Sequence, residues 1–309
     1  MFRKKITGRL GNQMFQYASM LGIKDKCKIN SDMYLSFEKV YKRNFKNELD
    51  YFCVNYKSVN KINLTLEEKF FFMLFKAIER IVMIAYRKDM DKSDAIRDKL
   101  EKKFMPILAK HGILYTSKGY YDFEKLKNIK NNDLYLCGWL ESPKYFDHIR
   151  NKILKEFTPR NARLEKNADL YKKIENSESV CVTIRRGDFL SDKFKNEHYV
   201  CTPEYFYKGI ELIRKKVVQP TFFVFSDDVG WCKDNMRFPK GTEFEDGTDP
   251  VWEKLRLMYS CKHFIISNST FSWWAQYLSR NDDKIVIAPK KWKNKGDHKD
   301  IYQDNWIKI

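Results

Sequence analysis

Short apolar runs and amphipathic stretches alternate along the second half of the chain. Val180, Cys181, Val182, Thr183 and Ile184 form an unbroken run without proline, which is how a strand covered on both faces of a parallel sheet reads. Thr202-Pro203-Glu204 supplies an N-cap hydroxyl, a first-turn proline and an acid near the positive helix end, so a helix should run from there to about residue 216. Residues 221–225 then read as a strand, with a short helix around Trp231 and a longer one over 250–261. A strand at 263–266, a helix through 275–280 and a last strand at 284–288 follow. Alternation of this kind predicts a parallel sheet with right-handed crossovers.

The first half is less regular. Residues 2–7 make a weak strand that enters a loop holding Gly8 and Gly11, after which Met14, Tyr17, Ala18, Leu21 and Gly22 fall at helical spacing. The spacing places the helix start at Asn12 or Gln13, with unpaired N–H groups turned to the loop. Gly8 and Gly11 lack the spacing of a dinucleotide or nucleoside-triphosphate loop. From 44 to 132 the chain is polar and lysine-rich, with helical periodicity at 66–86 and 93–108, and reads as a helical insertion. Residues 133–138 form a strand, a helix follows near Lys144, and Phe157-Thr158-Pro159-Arg160 opens a polar, helix-like linker. Two domains are therefore expected, 1–157 and 158–309.

Composition narrows the class. With 309 residues, 43% hydrophobic and 16% aromatic, the chain can build real cores and is no disordered protein. Its net charge of +18 is uneven, with 32 Lys/Arg against 19 Asp/Glu in residues 1–157 and 27 against 22 thereafter. Such a field suits phosphorylated substrates, an anionic membrane or nucleic acid, and no nucleic-acid motif supports the last. Seven scattered cysteines with no Cys-x-x-Cys pair suggest reduced thiols in a cytoplasmic protein rather than disulfides or a zinc site. Met1-Phe2-Arg3-Lys4-Lys5 leads into no apolar segment, so no signal peptide is expected. The most hydrophobic run, 70–86, contains Lys76, Glu79 and Arg80 and is too short to span a bilayer; a core helix or an interfacial helix on a membrane fits it. Asp89-Met90-Asp91 matches the Asp-x-Asp pattern that holds a metal under a nucleotide sugar, but no strand leads into it, and a solvated helix face is the plainer reading.

Three predicted strands of the second half end in polar clusters: Arg185-Arg186-Gly187-Asp188, Ser226-Asp227-Asp228 and Ser267-Asn268-Ser269-Thr270. In an open parallel sheet these ends share one edge, where ligands bind. Guanidinium forks match phosphate oxygens, and the third cluster opens a helix, so hydroxyls and backbone N–H groups join the arginines in a site for a pyrophosphate.

Four blocks carry a resemblance to a known family. They are the stretch from Gly8-Arg9-Leu10-Gly11-Asn12-Gln13 to Ala18, that from Val182 through Arg185-Arg186-Gly187-Asp188 to Phe189, Phe225-Ser226-Asp227-Asp228, and the stretch from Ser260 to Trp274. Together they resemble family 11 glycosyltransferases, the α-1,2-fucosyltransferases that use GDP-fucose. Residues 44–132 do not visibly match. The resemblance implies an α/β, GT-B-like fold of two Rossmann-like domains whose parallel sheets face across a cleft, inverting chemistry, and no metal or other cofactor. It implies L-fucose moving from GDP-β-L-fucose to a glycan acceptor, O2 of a terminal galactose being the expected hydroxyl. A lipid-linked glycan, and peripheral attachment to the inner face of an anionic membrane, are compatible with it. Another GDP-deoxyhexose is the alternative donor, and a non-catalytic basic glycan- or nucleic-acid-binding protein the remote one.

On this reading Arg185 stabilises the charge that builds on the β-phosphate as GDP leaves. Asp188 is the first candidate for general base, with Asp192, Glu141 or a phosphate oxygen of the donor as alternatives. Gly11, Asn12 and Gln13 approach the fucose from the first domain. Arg186, Gly187, Asn268, Ser269, Thr270, Phe271 and Ser272 hold the donor, Asp227 and Asp228 bind ribose or guanine, and Trp273 and Trp274 are core on one face and site wall on the other. Thr183, Phe189 and Glu141 stand where related enzymes often have His, a hydroxylated aromatic and Gln, departures that bear on acceptor and linkage.

Overall fold

The structure, a computed structural model, describes residues 1–37, 46–117, 119–126, 129, 133–192, 194–296 and 298–309. Both ends of the expected 44–132 insertion lie outside the described residues. The chain forms two compact units, 1–156 with 295–302 and 157–294 with 303–309. Residues 295–302, read above as part of the second domain, thus belong to the first unit, where Asp300 accepts from Tyr120 N at 3.0 Å and pairs with Lys144 at 2.6 Å.

The first unit is a five-stranded sheet made of β1 (Phe2–Lys5), β2 (Met33–Ser36), β3 (Lys57–Ser58), β4 (Ile113–Tyr115) and β5 (Leu134–Cys137). Its order is β3-β2-β1-β5-β4 and every pairing is parallel. From β1 the chain passes Gly8, at φ +85°, into α1 (Leu10–Lys26). The helix starts two residues earlier than its apolar spacing indicates, so Gly11 and Asn12 sit in its first turn rather than in a loop. Helix α1 is buried along most of its length, and at Gly22 a Cβ would fall 2.0 Å from the Tyr145 carbonyl oxygen, which is why a glycine stands mid-helix. In place of the helix expected near Lys144 there are two single 3₁₀ turns, Pro143–Tyr145 and Asp147–Ile149, which run into α4 (Arg150–Glu156). Gly138 and Leu140 both have positive φ, and that irregular backbone delays the helix.

The insertion holds two helices, α2 (Leu66–Ala85) and α3 (Met90–Lys110), and also contributes β3 and β4 to the sheet edges. Thr65 and Glu68 form a reciprocal capping box at the start of α2. Asp89 caps α3 by accepting from Lys92 N at 3.0 Å, so the Asp-x-Asp pattern is used as a helix start.

In the second unit α5 (Ala168–Glu175), which the sequence showed as a linker, packs against the sheet. It precedes β6 (Glu178–Ile184), α6 (Lys195–His198), α7 (Pro203–Lys216), β7 (Pro220–Ser226), α8 (Val229–Asn235) and β8 (Glu243–Phe244). After these come α9 (Val251–Ser260), β9 (His263–Ile265), α10 (Thr270–Leu278), β10 (Val286–Ala288) and β11 (Ile307–Lys308). The sheet order is β11-β10-β9-β6-β7-β8, all parallel. Strand order therefore reverses at β6, with β7 and β8 on one side and β9, β10 and β11 on the other. This is the doubly wound order, whose ligand crevice opens outside the carboxyl ends of the strands flanking the reversal. Val180, Val182, Phe222, Val224 and Ile265 of the sheet and Phe206, Ile210 and Ile213 of α7 make its core.

Candidate active site

Register brings the clusters together. Ile184 pairs with Ser226 at the ends of β6 and β7, so Arg185 and Asp227 leave the sheet side by side. Ser267 N donates to Thr183 Oγ1 at 3.0 Å, which fixes the third strand end at the same level on the other side of β6. The three polar clusters do lie on one edge.

Arg185 pairs with Asp188, three residues on, and its second amino group reaches Asp227 Oδ2 at 2.8 Å. Asp227 also accepts from the Arg186 backbone N at 2.8 Å. At Gly187 a Cβ would fall 2.3 Å from Asp227 Oδ2, so a side chain there would displace the carboxylate that holds both arginines. Arg186 pairs with Asp228 Oδ2 at 3.1 Å and its guanidinium carbon lies over the Trp231 ring, 3.1 Å from its centroid. Asp228 is at the same time the N-cap of α8, its Oδ1 accepting from Trp231 N at 3.4 Å. Asp227 and Asp228, expected as ribose or guanine ligands, orient the two guanidinium groups in this structure while their side chains stay 24% and 44% exposed. Three carboxylates face two guanidiniums, so the cluster as it stands has a net charge of −1. Asp227 is further tied by the Arg186 backbone N–H and Asp228 by its helix cap.

The third cluster splits in two. Asn268 is buried and fully used: its amide donates to the carbonyls of His198 at 2.9 Å and Trp292 at 2.8 Å, and its oxygen accepts from the Cys201 thiol. Ser272 is buried with its hydroxyl 3.0 Å from that of Ser267. In this structure the side chains of these two, both expected to hold the donor, hold the loop. Ser269, Thr270 and Phe271 stay half-buried at the start of α10, where Ser269 makes no side-chain cap. Its first-turn N–H groups and positive end can take an anion. Trp273 and Trp274 are completely buried, stacked or edge-on to Tyr277, Phe157 and each other, so neither is a site wall.

Two contributors escaped the sequence. Trp231 was visible only as a helix residue, and its role as a platform for Arg186 depends on strand register. His198 stacks at 5.0 Å on Phe189, whose other neighbour is the Arg185 guanidinium at 5.7 Å. Burial, with the Lys293 ammonium second, pushes the His198 imidazole below its ordinary pKa.

In the first unit the carboxyl end of β1 lies at the reversal between β1 and β5. Gln13 is completely buried there; its amide donates to Gly8 O at 2.9 Å and Lys46 O at 2.7 Å and accepts from Glu48 N at 3.0 Å. Gln13 closes the loop, so its expected contact with a sugar is not available to it. Gly11 is likewise buried within the helix turn. Asn12 is half-buried, its side chain folded over Gly8, and it is not the helix cap, a place taken by Arg9.

Among the described residues, Glu245, Asp246 and Asp249 form a carboxylate group tight enough to hold a cation. Lys254 sits 3.0 Å from Glu245 and Lys166 2.8 Å from Asp249, so two ammonium groups already supply the countercharge.

Two parallel α/β sheets, the second doubly wound with arginines and an open helix start beside its strand reversal, define a protein of the GT-B-like class. The chain belongs to the family described as glycosyl transferase family 11, whose profile matches residues 1–309. An alpha-1,2-colitosyltransferase of Escherichia coli is 29% identical over 318 residues, covering 99% of this chain and 97% of the relative. Galactoside alpha-(1,2)-fucosyltransferase 1 of Leontopithecus chrysomelas is 29% identical over 159 residues, covering 47% of this chain and 42% of its own length. The crystal structure of NodZ alpha-1,6-fucosyltransferase soaked with GDP-fucose superposes with a TM-score of 0.51 at 10% identity, covering 90% of this chain and 92% of that one. That likeness establishes the fold. The protein is a family 11 glycosyltransferase, with α-1,2-fucosyl- and colitosyltransferases among its relatives.

Proposed function

We propose that this enzyme transfers L-fucose from GDP-β-L-fucose, with inversion, to O2 of a terminal galactose on a glycan acceptor. The observation that supports the reading most is the pairing of Arg185 and Arg186 with the uncapped start of α10 at one sheet edge. Charge on the departing β-phosphate is what such an edge stabilises, and removing one preorganised donor typically costs ~3 kcal/mol of barrier. Pyrophosphate entry competes with Asp188 for Arg185, and a carboxylate released in this way regains the basicity needed to take the acceptor proton. Asn12 acts on the sugar in the transfer step, not on nucleotide binding. No metal is required, since guanidiniums and helix N–H groups carry the countercharge. A GDP-linked deoxyhexose other than fucose is the second reading, favoured by the near full-length match to a colitosyltransferase. The test is GDP release from GDP-fucose, and from a second GDP-deoxyhexose, in the presence of β-galactosides, with the product linkage read by NMR. An α-1,2-fucosylated product supports the first reading; turnover of the other donor alone replaces it.

A further inference from the structure

Helix α2 stands out from the rest of the surface. Leu66, Phe70, Met73, Ala77, Ile81 and Ile84 are all exposed, Leu66 by 85%, Met73 by 69% and Ile81 by 67%. Their spacing repeats every three or four residues, so they form one continuous apolar stripe along the helix. The opposite face carries Glu68, Phe75 and Glu79, which are buried, so the packing side of α2 is already satisfied. A stripe this long is not a set of scattered surface leucines.

The charges beside it are mostly basic, although Asp89 and Asp91 stand exposed just past Lys88. Lys69 and Arg80, three turns apart, lie on the same margin of the stripe, and Arg87 and Lys88 follow the helix end, all exposed. Glu67 is the sole exposed acid of the helix, and it is paired with His111 at 2.6 Å. A second copy laid on this stripe would bring Lys69, Arg80, Arg87 and Lys88 of both copies together against only Glu67, Asp89 and Asp91 of each. A surface of anionic lipid headgroups answers both features at once, taking the apolar stripe into the acyl boundary and the cations at phosphate level. No helix among the described residues is long and apolar enough to cross a membrane, so the contact lies in the plane of the interface.

We infer that α2 is an in-plane membrane anchor that docks the enzyme on anionic phospholipid. This goes beyond the donor chemistry and is independent of it. Co-sedimentation of the full chain with phosphatidylcholine vesicles, with and without about a third phosphatidylglycerol, tests it directly. Binding is expected with phosphatidylglycerol and weakens as salt is raised. Phe70→Asp with Ile81→Asp should lower partitioning about 100-fold or more, and Arg80→Ala with Arg87→Ala about fivefold per charge, on the anionic vesicles alone. All four side chains are exposed, so circular dichroism and the melting temperature should stay those of the parent. Three results would each overturn the inference: no binding to anionic vesicles at low salt, unchanged binding by the double aspartate variant, or a concentration-dependent dimer that this variant dissolves.

Discussion

Asp188 and Lys4 show how single residues carry the argument. If Asp188, which pairs with Arg185, competes with phosphate as proposed, Asp188→Asn should bind GDP several-fold more tightly while losing about 100-fold or more in kcat, a split that calorimetry and steady-state kinetics read separately. Loss of GDP affinity in that variant would mean the carboxylate positions Arg185 and does not compete. Lys4 is completely buried on β1 with Gly138 O at 2.8 Å, and burial lowers its pKa from 10.5 to about 8. Below about 8 the ammonium is charged in folded and unfolded chains alike, and its burial costs on the order of 3 kcal/mol. Between 8 and 10.5 the folded chain has released a proton that the unfolded chain still holds, so this residue's contribution to stability improves as pH rises. The melting temperature of the parent relative to Lys4→Met should therefore increase from pH ~7 to ~9.5; a difference independent of pH would contradict the shift. Neither residue's part could be read from the sequence. Asp188 was legible as a candidate, but the count of three carboxylates to two guanidiniums requires the register of β6 and β7.

At the scale of elements, long periodic stretches were legible and short ones were not. The run 180–184, the start of α7 and both helices of the insertion follow from side-chain periodicity, because each has enough residues to repeat it. Strands β3 and β8 have two residues each and β4 three, and they exist because a neighbouring strand offers them hydrogen bonds, not because of a local pattern. The α1 start was displaced for a related reason. Leu10 and Gly11 break no helical rule, and the turn is made earlier, by Gly8. Gly22 gives this helix its clearest test. The backbone of the Pro143–Tyr145 turn occupies the place of a Cβ, so Gly22→Ala should destabilise the first unit by about 1–3 kcal/mol despite alanine's higher helix propensity. GDP affinity, assigned by the proposal to the second unit, should not change; thermal melts with and without GDP check both points.

For the whole molecule, the α/β class and the strand-end edge were legible because a parallel sheet puts every strand's carboxyl end on one side. The crossing of residues 295–302 into the first unit was not, since nothing in a short polar segment says which sheet it will meet. Nor could the sequence tell which polar residues are turned inward. Asn268, Ser272 and Gln13 look like ligand groups by type, yet their hydrogen bonds hold loops together. On the proposal that cationic side chains supply the countercharge, activity should survive EDTA in full; loss with EDTA and recovery with manganese would return the Glu245, Asp246 and Asp249 group to consideration. The second unit's edge as the pyrophosphate site is tested most directly by titrating GDP calorimetrically into the parent and into Arg185→Ala, with melting temperatures recorded on the same preparations. Loss of the guanidinium leaves Asp188 and Asp227 facing the phosphate, so affinity should fall by about 30-fold or more, with the fold intact. An Arg185→Ala enzyme that binds GDP as the parent does would contradict the assignment.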